Sequence, residues 1–271
     1  MQQITSNIYV ETKTVGANAS FVTTTEGIVM IDTLQRPSDA LNWHDEIAKR
    51  GEVRYLINTE HHTDHFAGNY FFSGTVVSHQ KARDLMVQEP LKRIIERILE
   101  AGPDEQSLIS KYQVRLPTVT FSERASLYVG RHTFDLIHLP GHTPGQTAVY
   151  VPEERVIFTG DNISHKVQVF MHQSDPFQWI ESLKKIEKMD IDIIVPGHGE
   201  VCDKSYIREL SSFIQEWIDT VKRAITQGLS KEEAVKKISF LDRYPMDIGI
   251  KAMGPTVQRW NVERLYDLLA K

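Results

Sequence analysis

Thr59-Glu60-His61-His62-Thr63-Asp64-His65 is the stretch on which the reading of this chain turns. It follows the apolar run Val53, Tyr55, Leu56 and Ile57 and leads into a helix-like segment starting near Phe66. Read from Glu60 it has the form Glu-x-His-x-Asp-His, with carboxylate and imidazole donors packed into six residues and no pattern of a buried face. Neutral imidazoles and ionised carboxylates are what divalent transition metals take as ligands. On a strand-end loop, Glu60 and His62 can aim one way while Asp64 and His65, on the turn into the helix, aim another. Such an arrangement feeds two adjacent metals. From these residues alone, a polar loop that is merely rich in histidine is the competing reading.

Length and composition narrow the classes. The 271 residues fit one large α/β or sandwich domain. Apolar residues make up 41% and charged residues 25%, a balance that can bury a sizeable core. A net charge of −5 gives no electrostatic reason to bind nucleic acid or an anionic membrane. Cys202 is the only cysteine, which excludes an intrachain disulfide and a thiolate zinc cluster. The start Met1-Gln2-Gln3-Ile4-Thr5 is neither basic nor apolar, and no run approaches the ~20 apolar residues of a membrane span. The expected location is the cytoplasm, and the expected partner is a small-molecule substrate, with a homodimer allowed.

Working outward, residues 4 to 32 alternate apolar and polar positions through Ile8, Val10, Ala19, Phe21, Ile28 and Met30, with turns at Gly16-Ala17-Asn18 and Glu26-Gly27. That pattern predicts an antiparallel meander. Pro37-Ser38 opens a helix with Leu41, Trp43 and Ile47, closed at Lys49-Arg50-Gly51. After the strand Thr75–Ser78, a helical insertion at about 80–112 is interrupted at Pro90 and Gly102-Pro103. It either roofs the site or stands as a solvated arm carrying Lys92, Arg93, Glu96 and Arg97. From Val119 the strand pattern returns through Leu127, Val129, Phe134, Leu136, Val149 and Ile157, which predicts a second sheet. Asp175-Pro176 caps a helix, and Ile191 to Val195 forms another buried strand. A C-terminal extension at about 203–271 is helical, with a capping box at Ser230-Lys231-Glu232-Glu233. No repeat or linker divides the chain, so residues 1–271 read as one domain.

Three more strands end in donors: Pro140-Gly141-His142, Thr159-Gly160-Asp161 and Pro196-Gly197-His198. Sites in layered α/β folds are built at such edges, because strand ends are rigid and the loops beyond them are free. Four ligand-bearing strand ends in this order are hard to explain by packing alone.

At these residues the chain resembles the metallo-β-lactamase superfamily, whose pattern is His-x-His-x-Asp-His, then Gly-His, Gly-Asp and Gly-His. The resemblance implies a four-layer αβ/βα sandwich with C-terminal helices and a dinuclear metal site on one edge. It also implies a metal-dependent hydrolase with two divalent ions per chain. By position, His62, His142 and Asp161 would hold the first metal, with Glu60 standing where the family has a histidine. Asp64, His65 and His198 would hold the second, and Asp161 would bridge. Zinc is the family's usual ion, and the oxygen donor of Glu60 favours manganese or iron relative to it. A glutamate also occurs in diiron members, but at the position of His62 here and alongside a flavodoxin domain this chain lacks.

The implied reaction uses a metal-bridging hydroxide, oriented by Asp64 and Asp161 as the catalytic residues, to cleave a small ester, lactone, thioester or phosphoester. Weak or absent β-lactamase activity is expected, because one family subclass keeps cysteine where Asp161 stands and another lacks this aspartate. A non-catalytic metal-binding or regulatory domain with a modified first site is the alternative. His165, His172, Tyr244 and Met246 are candidates for the substrate side, with Ile248 and Met253 as further apolar wall. His61 should point away from the metals, His138 should be a core residue, and Asp32 should support a ligand rather than be one. His79, like His165 and His172, is within range of the site.

Overall fold

In β1 (Gln2–Gln3), β2 (Ile8–Glu11), β3 (Ala19–Thr24) and β4 (Gly27–Ile31) the period-2 alternation builds the expected antiparallel meander. The computed structural model describes residues 1–245 and 253–270. From β4 onward the sheet turns parallel, adding β5 (Val53–Asn58), β6 (Thr75–His79) and β7 (Val119–Phe121). The return at Val119 therefore belongs to the first sheet, where Val77 pairs with Val119, and not to the second. The cause is topological: the chain comes back from the helical insertion beside the strand that launched it.

The second sheet contains β8 (Arg124–Val129), β9 (His132–His138), β10 (Thr147–Val151) and β11 (Val156–Phe158). The two-residue β12 (Ser164–His165) lies outside it, whereas β13 (Ile193–Val195) completes it by pairing in parallel with β11. β14 (His198–Gly199) pairs with β12.

Which side chain faces which layer follows from the pleat. Ile28 and Met30 of β4 pack with Trp43 and Ile47 of helix α1 (Pro37–Ala48), while Val29 and Ile31 face the second sheet and its Phe134, Leu136, Val149 and Phe158. Beyond the second sheet, Ala148 and Ile157 pack against Trp179, Phe213 and Trp217. Each fully buried aliphatic or aromatic side chain contributes about 2 kcal/mol by transfer from water. Two sheets face to face with helices outside make the four-layer αβ/βα sandwich.

The short α2 (Thr63–Phe66) follows β5. The insertion is α3 (Gln80–Gln88), α4 (Leu91–Ala101) and a 3-10 turn at Pro103–Ser107, broken where proline and glycine predict. One face of α4 buries Ile94 and Ile98 against Phe66 and Tyr112. Its other sides divide between the two expectations: Lys92 and Glu96 pair in solvent, while Arg93 and Arg97 line the cavity above the ligand loops. α5 (Pro176–Glu187) is capped by the Asp175 carboxylate, which accepts from the Phe177 and Gln178 amides. The C-terminal helices are α6 (Ser205–Thr226), α7 (Lys231–Lys237), with the predicted capping box at Ser230 and Glu233, and α8 (Gly254–Leu269). No helix among the described residues is long and apolar enough to cross a membrane.

Candidate metal centre

Parallel pairing of β4 with β5 and of β11 with β13 brings their carboxyl ends to one edge of the sandwich. Glu60 and His62 lie just past β5, Asp64 and His65 on the first turn of α2, His142 past β9, Asp161 in the 3-10 turn Gly160–Asn162 past β11, and His198 at the start of β14. The two sheets are tied across this edge. The Thr147 amide donates to the Thr59 carbonyl at 2.7 Å, and the Asn18 amide donates to the Gly197 carbonyl at 2.7 Å.

All seven candidate ligands read from the sequence converge. Glu60, His62, His142 and Asp161 form one group and Asp64, His65 and His198 another, each offering ligand atoms within 4.8 Å of one another. In the first, Glu60 Oε2 lies 2.7 Å from His62 Nδ1, Glu60 Oε1 3.6 Å from His142 Nε2, and Asp161 Oδ2 3.6 Å from His142 Nε2. In the second, His198 Nε2 lies 3.3 Å from Asp64 Oδ2, and His65 Nε2 lies 3.9 Å from the same oxygen. Asp161 joins the two groups: its Oδ1 is 3.2 Å from His65 Nε2 and its Oδ2 is 3.2 Å from His198 Nε2.

The far side of most imidazoles is held. His65 Nδ1 meets Asp32 Oδ2 at 2.8 Å, and His198 Nδ1 donates to the Gly16 carbonyl at 3.0 Å, so both rings present Nε2 inward. His62 Nε2 meets Gln173 Oε1 at 3.1 Å, leaving Nδ1 for the first group. Such partners fix the ring and tautomer of a metal ligand. Asp32 also accepts from the Thr59 amide at 2.7 Å and the Thr59 hydroxyl at 2.5 Å, and it does so with φ 55°, in the left-handed region. Asn162 holds the His142 loop, accepting from the His142 amide and donating to the Leu139 carbonyl. Gly197 is required by contact, because a Cβ there would collide with Asp161 Oδ1.

The donor set fits divalent ions. Glu60 Oε1 and Oε2, His65 Nε2 and Asp161 Oδ1 are buried without a hydrogen-bond partner, the Glu60–His62 contact being too poorly aligned to count as one. Buried carboxylates left in that state are costly unless they are paired or bind a cation. Burial opposes charge on Glu60, yet His62, His142 and His65 hold its carboxyl down at about 2. Burial likewise opposes charge on Asp161, and His198 and His65 hold it well below the usual carboxylate range. Asp161 and Asp64 in turn outweigh burial at His198 and lift it to about 10. At His142 burial prevails and lowers the ring's affinity for a proton.

A cavity of about 310 Å³ opens onto these groups. Arg93, Arg97, Glu89 and Glu100 line it with charge, and Phe170, Met253 and Trp260 add apolar surface. His172 lines it too, stacked on His62 at 5.2 Å and tilted on Trp260 at 5.2 Å; burial and the neighbouring imidazoles keep it neutral, at about 2. His61 belongs to neither ligand group but lines the cavity beside His62, also neutral by burial, at about 3.

Of the substrate-side candidates, His172 and Met253 line this cavity. His165 and Tyr244 do not: His165 packs on Tyr206 and bonds the Glu200 carbonyl, and Tyr244 packs edge-on against Phe213 with its hydroxyl on Glu209. Met246 and Ile248 lie outside the described residues. His79 is also remote, stacked 3.9 Å from His138 and bonded to the Ser122 carbonyl. His138 stands half-buried at the end of β9 with Nε2 on the Pro144 carbonyl. Gly16, Asn162, Gln173 and the α4 arginines were not singled out as site residues in the sequence. The only local trace of Gly16 was its turn signal, and the arginines were read only as part of an insertion that roofs the site or stands as a solvated arm.

The family profile described as metallo-beta-lactamase superfamily matches residues 12–198. The chain is 21% identical over 253 residues to a linear primary-alkylsulfatase from a Pseudomonas species, a match covering 79% of this chain and 48% of that protein. It is 24% identical over 235 residues to a type 2 metallo-beta-lactamase from Elizabethkingia meningoseptica, covering 80% and 85%. It thus spans about half the length of the alkylsulfatase and most of the lactamase. Among solved structures, a metallo-beta-lactamase family protein from Thermus thermophilus superposes with a TM-score of 0.70 at 18% identity, over 98% of this chain and 95% of that one. At that identity the likeness speaks for the fold. The profile match, spanning the ligand-bearing strand ends from Glu60 to His198, places the chain in the metallo-beta-lactamase superfamily.

Proposed function

We propose that the protein is a dinuclear metal-dependent hydrolase acting on a small, partly apolar ester, lactone, thioester or phosphoester. The observation that carries this reading is the set of buried carboxylate and imidazole atoms without hydrogen-bond partners, beside a cavity that Asp161 and His142 line together with Phe170, Met253 and Trp260. Glu60, His62, His142 and Asp161 would hold one ion, and Asp64, His65 and His198 the other, with Asp161 shared. Two bound divalent ions supply a water of lowered pKa and polarise the bond under attack.

The chain's own residues do the rest. Asp64 and Asp161, ionised throughout the working range, accept hydrogen bonds from the attacking water and fix its direction. Phe170, Met253 and Trp260 bind the apolar part of the substrate and exclude water around the reacting bond. The two arginines of α4 also line the cavity, where a polar or anionic part of the substrate would sit.

The test is a panel of aryl ester, lactone, thioester, phosphoester and alkyl sulfate substrates, assayed with the manganese- and zinc-loaded protein. The sulfate ester is included because an alkylsulfatase is among the relatives. Turnover of at least one class, with β-lactams poor, is expected. A protein that binds two ions and turns over nothing in the panel would instead be a metal-binding or regulatory domain.

A further inference from the structure

We infer that Glu60 is a second bridging carboxylate, spanning both metals beside Asp161, and not a terminal ligand of the first ion. The inference rests on the dinuclear reading above and concerns the position where this chain departs from its family's histidine.

The chemistry of the substitution comes first. An imidazole at this position can offer one ring nitrogen to the centre, with the other directed away, whereas a carboxylate carries two acceptor oxygens on one carbon. The geometry uses both. Glu60 Oε2 contacts the first group, 2.7 Å from His62 Nδ1. Glu60 Oε1 lies 3.6 Å from His142 Nε2 in the first group and also 3.6 Å from His65 Nε2 in the second. Donors sharing one ion at bond lengths of about 2.0–2.2 Å are separated by roughly 3.0–3.5 Å, so Oε1 is as well placed beside the second group as beside its own. Asp161, the expected bridge, also reaches both groups, its Oδ1 3.2 Å from His65 Nε2 and its Oδ2 3.6 Å from His142 Nε2.

Among the described residues neither oxygen of the Glu60 carboxylate has a hydrogen-bond partner, and the side chain is fully buried. A glutamate that merely pinned a neighbouring loop would show a backbone or hydroxyl donor, as Asp32 does with Thr59. His65 Nε2 and Asp161 Oδ1 are unpartnered too, so the orphaned atoms lie between the two groups and are not confined to one. Three carboxylates, Glu60, Asp64 and Asp161, thus meet four imidazoles, His62, His65, His142 and His198, a charge set suited to two linked cations.

The test uses metal-free full-length protein titrated with Mn²⁺, read by calorimetry for stepwise affinities and by electron paramagnetic resonance for exchange coupling between the ions. Wild type is expected to take two ions with a coupled spectrum. Glu60→Gln, nearly isosteric, should lower both stepwise binding constants at least tenfold and weaken the coupling. Glu60→His restores the family's ligand, so it should recover the first constant while the second stays weak and the coupling stays reduced. Two ions bound by both variants with the coupling and the second constant of wild type would overturn the bridge while leaving the dinuclear reading intact. A wild-type protein that takes one ion or none overturns both.

Discussion

Asp32 Oδ2 lies 2.8 Å from Nδ1 of His65, and the same carboxylate takes both donors of Thr59, the residue that opens the ligand loop. One buried side chain therefore sets the ring of a ligand and the start of the segment carrying three others. Asp32→Ala should weaken the Asp64–His65–His198 ion by about 10–100-fold. Asp32→Asn should lose less, since an amide oxygen still accepts from His65 and asparagine tolerates the left-handed backbone of Asp32. Competition with a chelating indicator measures both, and equal affinity in wild type and Asp32→Ala would refute the coupling.

Asp161 is the residue on which both groups depend. Asp161→Ala should abolish turnover and loosen both ions, and full activity in that variant would remove it from the centre. Gly197→Ala tests the same point from the backbone side, because the added methyl must displace Asp161 Oδ1 or shift the His198 loop. We expect that variant to melt at a lower temperature and to lose metal in elemental analysis; wild-type behaviour in both assays would mean that the loop yields freely.

Trp260 projects from α8 into the cavity without belonging to either ligand group. Trp260→Ala should therefore raise KM for substrates with apolar substituents by about tenfold, the loss of roughly 1–2 kcal/mol of apolar contact, with two ions still bound. Loss of metal in this variant would show that the indole supports His172 and His62 and does not simply contact substrate.

The candidate ligands were legible in the sequence because they follow strands, and strand ends are local facts: an apolar run, then a donor, with a glycine before His142, Asp161 and His198. The opening meander was legible for a related reason, its pleat being written as period-2 alternation at Ile8 and Val10. What encloses the site was not. Gly16 holds His198 across 182 residues of sequence separation, and Arg97 is oriented toward the cavity by Ile94 and Ile98, which bury the neighbouring face of α4. His165 and Tyr244 were misplaced for a related reason. Position in a loop or near a helix start does not fix direction, and both side chains turn into the packing around Tyr206 and Phe213. Val119 was assigned to the wrong sheet because a three-residue strand carries no sign of its partner.

The last prediction concerns pH. His198 rises from an ordinary value of 6.5 to about 10 because Asp161 and Asp64 outweigh its burial. The folded, metal-free protein therefore holds that proton more tightly than the unfolded chain does. The resulting stabilisation is fully present below pH 6.5, declines as the pH rises, and is gone above about 10. Asp161 and Asp64 act in the opposite sense: their carboxyls are depressed, so their contribution is present at neutral pH and lost only in acid. Metal binding requires the His198 and His65 protons to leave, so ion affinity should strengthen over the window in which the metal-free fold weakens. Thermal melts from pH 6.5 to 10, with and without Mn²⁺, should show the metal-free Tm falling and the gap between the two forms widening. A metal-free Tm that climbs with pH through this range would mean that the two aspartates do not hold His198 in its charged form.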